Sequence, residues 1–194
     1  MKSYFNQTRF VKSITDVNEI PHPNLPEIAF AGRSNVGKSS LLNAITHRKH
    51  IAKISSKPGK TRLINYFEVS ESFYFVDLPG YGYAGVSNKD KEKWKRLIEA
   101  YIVNNKRLRL ICLLMDSRHE MQSSDEQMSR WLDFLNIPYV IVLTKTDKLS
   151  GNQLTKQRKY YEQIYPDHHI IPFSCKKEAM IAELTAFIFD YVQA

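Results

Sequence analysis

Cysteine is scarce in this 194-residue chain, which carries two, Cys112 and Cys175, far apart and each in apolar or strand-like surroundings. That excludes a disulfide framework, and neither thiol has a second ligand nearby; both are expected to be free, buried thiols of a reducing cytosol. Long apolar runs are missing too. The longest spans 110–115, and the first residues lack the apolar stretch of a secretion signal. Neither export nor a membrane-spanning helix is expected, so the chain is assigned to the cytoplasm with no membrane partner. No Ser/His/Asp or Cys/His nucleophilic arrangement emerges. His47 and His50 have no third ligand within reach in sequence, and His119, His168 and His169 read as surface residues.

Acidic residues are in deficit. Twenty Asp and Glu face 28 Lys and Arg, for a net charge of +8 and a pI of about 9.4. One triphosphate needs only a few positive groups, so this excess suggests a polyanionic partner such as RNA, although a solvated basic surface gives the same count. The remaining composition, 43% hydrophobic and 25% charged, is ordinary for a globular protein. The length suits one domain over 1–194, with a lead-in over 1–25.

The chain is organised around residues 32–39, Gly-Arg-Ser-Asn-Val-Gly-Lys-Ser, which fit the phosphate-binding P-loop G-x-x-x-x-G-K-[ST]. Glycine lets the backbone approach a phosphate in conformations that a Cβ forbids, and successive amides form an anion nest at a helix N-terminus. Lys38 would reach the β- and γ-phosphates and the Ser39 hydroxyl would take one position on Mg²⁺. The context fits: an apolar strand over 28–31 precedes the loop, and Ser40-Leu41-Leu42-Asn43-Ala44-Ile45 follows with helical spacing, to about Thr46.

Residues 1–25 read as a strand-like lead-in followed by a loop closing on Pro21-His22-Pro23. Positions 53–62 form a polar loop with a Pro58-Gly59 turn, and 65–69 with 73–77 form a hairpin across Ser70-Glu71-Ser72. Residues 81–90 read as mobile. Trp94, Leu97, Ile98, Tyr101 and Ile102 stripe a helix, and 108–116 and 138–144 are buried strands. Ser123 and Ser124, with Glu126 and Gln127 three residues later, resemble a capping box for the helix striped by Met128, Trp131, Leu132 and Leu135. A polar helix over 155–165, a strand over 170–174 and a helix striped by Ile181, Leu184, Ile188 and Tyr191 complete the chain. Alternating strands and helices imply an α/β fold: a three-layer, doubly wound, mostly parallel sheet with one antiparallel strand at its edge.

In such sheets ligands bind beyond the carboxyl ends of the strands. The P-loop, Asp77, residues 144–147 and residues 174–176 all follow strand ends and should converge on one crevice. Asp77 could hold Mg²⁺ through a water, as a Walker-B carboxylate does; the Gly80 amide could sense the γ-phosphate; Thr61 offers a second hydroxyl to the metal. Base choice falls to Thr144-Lys145-Thr146-Asp147. A carboxylate accepts bonds from the N1–H and 2-amino group of guanine, and adenine has no such donor pair. Lys145 would cover one face of the base, and Ser174-Cys175-Lys176 would support the other side.

Together these segments resemble the guanine-nucleotide signatures of the translation-factor-related small GTPases, over about three-quarters of the chain. More narrowly, GRSNVGKS (32–39), KPGKTR (57–62) and DLPGYGYA (77–84) resemble the EngB-type (YihA/YsxC) bacterial GTP-binding proteins. The resemblance implies a Ras-like G domain that binds GTP/GDP and Mg²⁺, acts as a monomer in assembly of the large ribosomal subunit, rRNA included, and has a link to cell division and septation. The expected nucleotide contacts are Gly32, Arg33, Ser34, Asn35, Val36, Gly37, Lys38, Ser39, Ser40, Gly59, Lys60, Thr61, Asp77, Leu78, Pro79, Gly80, Thr144, Lys145, Thr146, Asp147, Ser174, Cys175 and Lys176. The metal falls to Ser39, Thr61 and Asp77, and catalysis to Lys38, Asn35, Thr61 and Gly80.

One residue departs from Ras-like chemistry. Where a glutamine would orient the attacking water, this chain has Tyr81, so hydrolysis should be slow. Asn35 resembles the asparagine by which related GTPases hold K⁺ beside the phosphates. Two other functions fit parts of the pattern: an ATP-dependent P-loop kinase, which has no use for T-K-x-D, and an RNA-binding module with structural GTP.

Overall fold

The computed structural model describes residues 2–52, 63–82, 88–103 and 105–193, without the side chains of Lys2, 88–91 and Trp94. In chain order the elements are α1 (Lys2–Asn6), β1 (Thr8–Ile14), β2 (Glu27–Gly32), α2 (Lys38–Ile45), β3 (Ile64–Val69), β4 (Phe73–Asp77), α3 (Asn88–Val103), β5 (Leu108–Asp116), α4 (Ser123–Phe134), β6 (Tyr139–Thr144), α5 (Gly151–Ile164), β7 (Ile170–Pro172) and α6 (Glu178–Gln193). The strands form one sheet in the order β1-β3-β4-β2-β5-β6-β7. Pairings from β4 to β7 are parallel, and β3 pairs antiparallel with both β1 and β4.

Alternation along the strands sorts side chains between two faces. Ile28 and Phe30 of β2 face one core with Leu41, Leu42 and Ile45 of α2 and Ile181, Leu184 and Ile188 of α6. Ala29 and Ala31 face the other with Ile98, Tyr101 and Ile102 of α3, Leu132 of α4 and Tyr161 of α5. Both faces of the central strands are therefore covered, which explains why β2, β4 and β6 are buried at every position. The three-layer, doubly wound architecture is as expected. Among the described residues no helix is long and apolar enough to cross a membrane.

Four local expectations are corrected. The single strand running against the rest, β3, is interior; the edge belongs to β1, because the lead-in folds back as α1 and β1 and pairs along β3. Helix α4 has Gln122 as its N-cap, without a side-chain cap bond, and Asp125 and Glu126 in its first turn suit the positive end of the dipole instead. A capping box is found at α5 instead, where Ser150 and Gln153 bond reciprocally. Of the thiols only Cys112 is buried, and Cys175 is exposed. His168 is not a free surface residue: its ring stacks on Tyr139 at 4.1 Å between centroids and its Nε2 lies 3.2 Å from Asp133 Oδ1.

The β3–β4 hairpin forms as expected. Ser70 and Glu71 take positive φ of 47° and 54°, and the Ser72 amide donates to the Val69 carbonyl at 3.0 Å, the type I′ geometry whose twist matches the strands.

Candidate nucleotide site

Parallel strands β2, β5 and β6 end on the same side of the sheet, and the loops that leave them meet there. The P-loop leaves β2 at Gly32, where a Cβ would fall 2.9 Å from both the Leu114 carbonyl oxygen and Val36 Cγ1. Only glycine admits that approach. Gly37, with φ of 115°, turns the chain into α2, whose first amides have no intrahelical acceptor. The result is an anion-ready helix terminus.

Lys38 opens α2 and points back over the loop, its Nζ 3.5 Å from the Gly32 carbonyl. Burial lowers its pKa and the facing Asp77 carboxylate opposes this. Asp77, at the tip of β4 beside Phe30 of β2, is buried. Burial raises its pKa, against the Lys38 charge and a hydrogen bond from the Asn65 side chain. One of its oxygens, Oδ1, has no hydrogen-bond partner among the described residues although it is buried. An orphaned buried carboxylate oxygen beside a phosphate loop has the donor chemistry of a hydrated Mg²⁺ site.

The segment after Asp77 is stitched to the P-loop. Leu78 donates its amide to the Phe30 carbonyl at 3.1 Å, and the Ser34 amide donates to Tyr81 at 2.9 Å. The Ser34 hydroxyl lies 3.4 Å from the Gly80 carbonyl. Tyr81, expected to begin a mobile stretch, is anchored: its hydroxyl donates to Asp125 Oδ1 of α4 at 2.9 Å. Burial pushes the Asp125 carboxyl up to about 6, against the Tyr81 bond and the Arg33 charge.

At the far end of the P-loop, residues more than a hundred positions away close on its backbone. The Thr144 hydroxyl lies 2.8 Å from the Val36 carbonyl and the Lys145 ammonium donates to the Asn35 carbonyl at 2.8 Å. Thr146 bonds the Phe173 carbonyl with its hydroxyl at 3.0 Å, tying this loop to the end of β7. Asp147 is then gripped from the neighbouring loop: Ser174 Oγ donates to Oδ1 at 3.2 Å and Lys176 Nζ lies 3.0 Å from Oδ2. The Lys176 bond, more than offsetting desolvation, holds its carboxyl below the ordinary range. A carboxylate has about four lone-pair positions, so these partners do not exhaust it.

The structure thus brings together the P-loop, Asp77 to Gly80, the 144–147 loop and the 174–176 loop. Gly59, Lys60 and Thr61 lie outside the described residues, as do Lys53, Lys57 and Arg62. Two residues escaped sequence reasoning, Asp116 and Asp125. Asp116 shared a signal with Asp77, a carboxylate at the carboxyl end of a parallel strand, whereas Asp125 gave none beyond its place in a helix.

Comparison with known proteins agrees with this geometry. A family model described as 50S ribosome-binding GTPase matches residues 27–145. The probable GTP-binding protein EngB of Kosmotoga olearia is 49% identical over 181 residues, covering 92% of this chain and 95% of that protein. Its counterpart from Clostridium perfringens is 44% identical over 186 residues, 94% of each chain. The chain belongs to the EngB family of GTP-binding proteins. A crystal structure of a probable EngB superposes with a TM-score of 0.70 at 27% identity, covering 86% of this chain and 98% of that one. Era in complex with MgGDPNP and nucleotides 1506–1542 of 16S ribosomal RNA gives a TM-score of 0.71 at 25% identity, covering 88% of this chain and 57% of that one. In this chain the glycine-rich loop and the 144–147 loop are joined by direct hydrogen bonds.

Proposed function

We propose that this EngB-family chain, a single G domain over 1–194, binds GTP with Mg²⁺ at the strand tips. It hydrolyses GTP slowly to GDP and acts as a monomeric, cytoplasmic switch in assembly of the large ribosomal subunit. The observation that carries this is the bridge from Thr144 and Lys145 to the P-loop backbone, which ties the loop suited to the base directly to the loop suited to the phosphates.

The P-loop amides and Lys38 hold the β- and γ-phosphates, and the phosphate charge supports the ammonium that burial disfavours. Ser39, Asp77 and Thr61 hold the metal. Mg²⁺ held there would supply positive charge to offset that of the phosphates. Asp147, fixed by Ser174 and Lys176, accepts the guanine N1–H and 2-amino donors, with Cys175 in the same supporting loop. Tyr81 has its hydroxyl committed to Asp125, which supports slow turnover without a water-orienting side chain. Asn35 is the residue suited to hold K⁺, and identical GTP turnover in K⁺ and Na⁺ would remove that element.

The partner face is assigned to the loops that the γ-phosphate orders, through Thr61 and Gly80. Its described basic members, Lys93, Lys95 and Arg96, are exposed, and two of them pair loosely with Glu99 and Glu92 one turn away. The family model's description and the net charge of +8 support a ribosomal partner. The link to cell division and septation rests on the resemblance; filamentation on depletion before any loss of large subunits would separate the two roles.

Turnover of GTP and ATP, with and without Mg²⁺ and large subunits, tests this function. GTP-selective, Mg²⁺-dependent turnover is expected, with subunit binding that strengthens in a non-hydrolysable GTP analogue and falls steeply with salt. Preference for ATP would favour a kinase, and no turnover under any condition would favour structural GTP.

A further inference from the structure

Asp116 ends β5 and lies beside Thr144 in the parallel ladder with β6. Arg118 grips its carboxylate as a fork, Nε on Oδ1 at 2.9 Å and Nη2 on Oδ2 at 2.8 Å, and the Arg118 amide adds a bond to Oδ1 at 3.1 Å. From the other side the Lys145 ammonium donates to Oδ2 at 2.8 Å. That same ammonium reaches the Asn35 carbonyl, so one cation joins the tip of β5 to the phosphate loop. Burial alone would raise the Asp116 carboxyl, and the bonds from Arg118 and Lys145 outweigh it and keep the group ionised.

The two backbones that meet at this ammonium are both unusual. Asn35 has φ of 65° and Lys145 has φ of 60°, both in the left-handed region that few non-glycine residues adopt. Lysine is a flexible side chain with three rotatable donors, so a backbone carbonyl alone would not fix it. A carboxylate clamped by arginine does. Charge-assisted bonds of this length are the strong kind, and Asp116 is mostly shielded, with 14% of its side chain exposed.

We propose that Asp116, held by Arg118, is a positioning residue for guanine-nucleotide binding: it keeps the Lys145 ammonium on the Asn35 carbonyl and so locks the base-recognition loop to the phosphate loop. This rests on the proposed GTP function and adds to it a residue pair outside the segments assigned to nucleotide contact. The stem of Lys145, drawn between Asp116 and its own backbone, becomes a fixed rail for the base. Without the clamp both loops keep their recognition groups but lose their spacing, so affinity falls while selectivity stays.

The test measures release and equilibrium binding of a fluorescent GDP by wild type, Asp116→Asn, Lys145→Ala and the double variant. Asp116→Asn is expected to weaken binding about tenfold, mostly through faster release, with preference for GDP over ADP and XDP retained because Asp147 is untouched. The double variant is expected to bind no worse than Lys145→Ala, since both changes remove one coupled interaction. A merely structural carboxylate would give additive losses. Wild-type affinity in Asp116→Asn, or losses that add in full, would overturn the proposal alone; a wild type that binds no guanine nucleotide would overturn the underlying function and this proposal with it. Should Asp116→Asn fail to fold, Arg118→Ala, altering a side chain 41% exposed, carries the same test, with release about threefold faster expected and unchanged release contradicting it.

Discussion

Two carboxylates are buried at opposite ends of adjacent strands, Glu27 at the start of β2 and Asp77 at the tip of β4, and burial raises the pKa of both. Glu27 is supplied from all sides. Its Oε2 receives Asn105 Nδ2 at 2.7 Å, the Tyr101 hydroxyl at 2.8 Å and the Tyr66 hydroxyl at 3.5 Å. Its Oε1 lies 2.9 Å from Arg107 Nη2, an ion pair without the alignment of a hydrogen bond. Asp77 has the Lys38 charge and the Asn65 bond, and one oxygen with neither a hydrogen bond nor a close ion pair among the described residues. The first end is closed and ties α3, β3 and the turn before β5 to the start of β2. The second is left incomplete among the described residues, as expected of a carboxylate that a group from outside would complete. Burial alone does not distinguish a structural charge from a site; satisfaction does.

The largest expected effect breaks the closed end. Glu27→Ala leaves Arg107, Tyr101 and Tyr66 facing a cavity and should cost about 3–5 kcal/mol of stability, read by denaturant unfolding. Asp77→Asn should do the reverse: unfolding stability equal to or above wild type, with the Mg²⁺ enhancement of GTP affinity reduced roughly tenfold to a hundredfold. A large loss of stability in Asp77→Asn, or none in Glu27→Ala, would dissolve the contrast.

A smaller effect sharpens it at Asp125, a buried carboxyl with partial satisfaction. Its folded pKa of about 6 lies above the ordinary 3.8, so the folded state binds this proton more tightly than the unfolded chain. The stabilisation is complete below pH 3.8 and is lost as pH rises through 6. Wild type should therefore lose on the order of 1–3 kcal/mol relative to Asp125→Asn between those pH values, measured by unfolding at each pH. Parallel pH profiles would contradict the role assigned to burial there.

Much of this was legible in the chain because its motifs are spaced by chemistry. The P-loop, Asp77 and the T-K-x-D element each begin at the end of a strand, and strand ends of a parallel sheet converge. What stayed hidden depended on contacts remote in sequence. The lead-in reads as strand-like, but its place at the sheet edge is set by pairing with β3 at least fifty residues away, with a register shift between Phe10 and Lys12. Its Phe10 is 52% exposed, an apolar residue on the solvent side. The exposure of Cys175 follows from its place between Ser174 and Lys176, whose roles at Asp147 turn the middle residue outward. Asp116 and Asp125 have no motif; their partners, Lys145 and Tyr81, are identified only by the fold.

The most direct measurement is nucleotide preference of wild type against Asp147→Asn. An amide offers a donor to the 2-oxo group of xanthine and repels the guanine amino group, so preference should move from GTP to XTP with folding intact. Retained GTP preference in that variant, or a wild type indifferent to guanine nucleotides, would contradict the account.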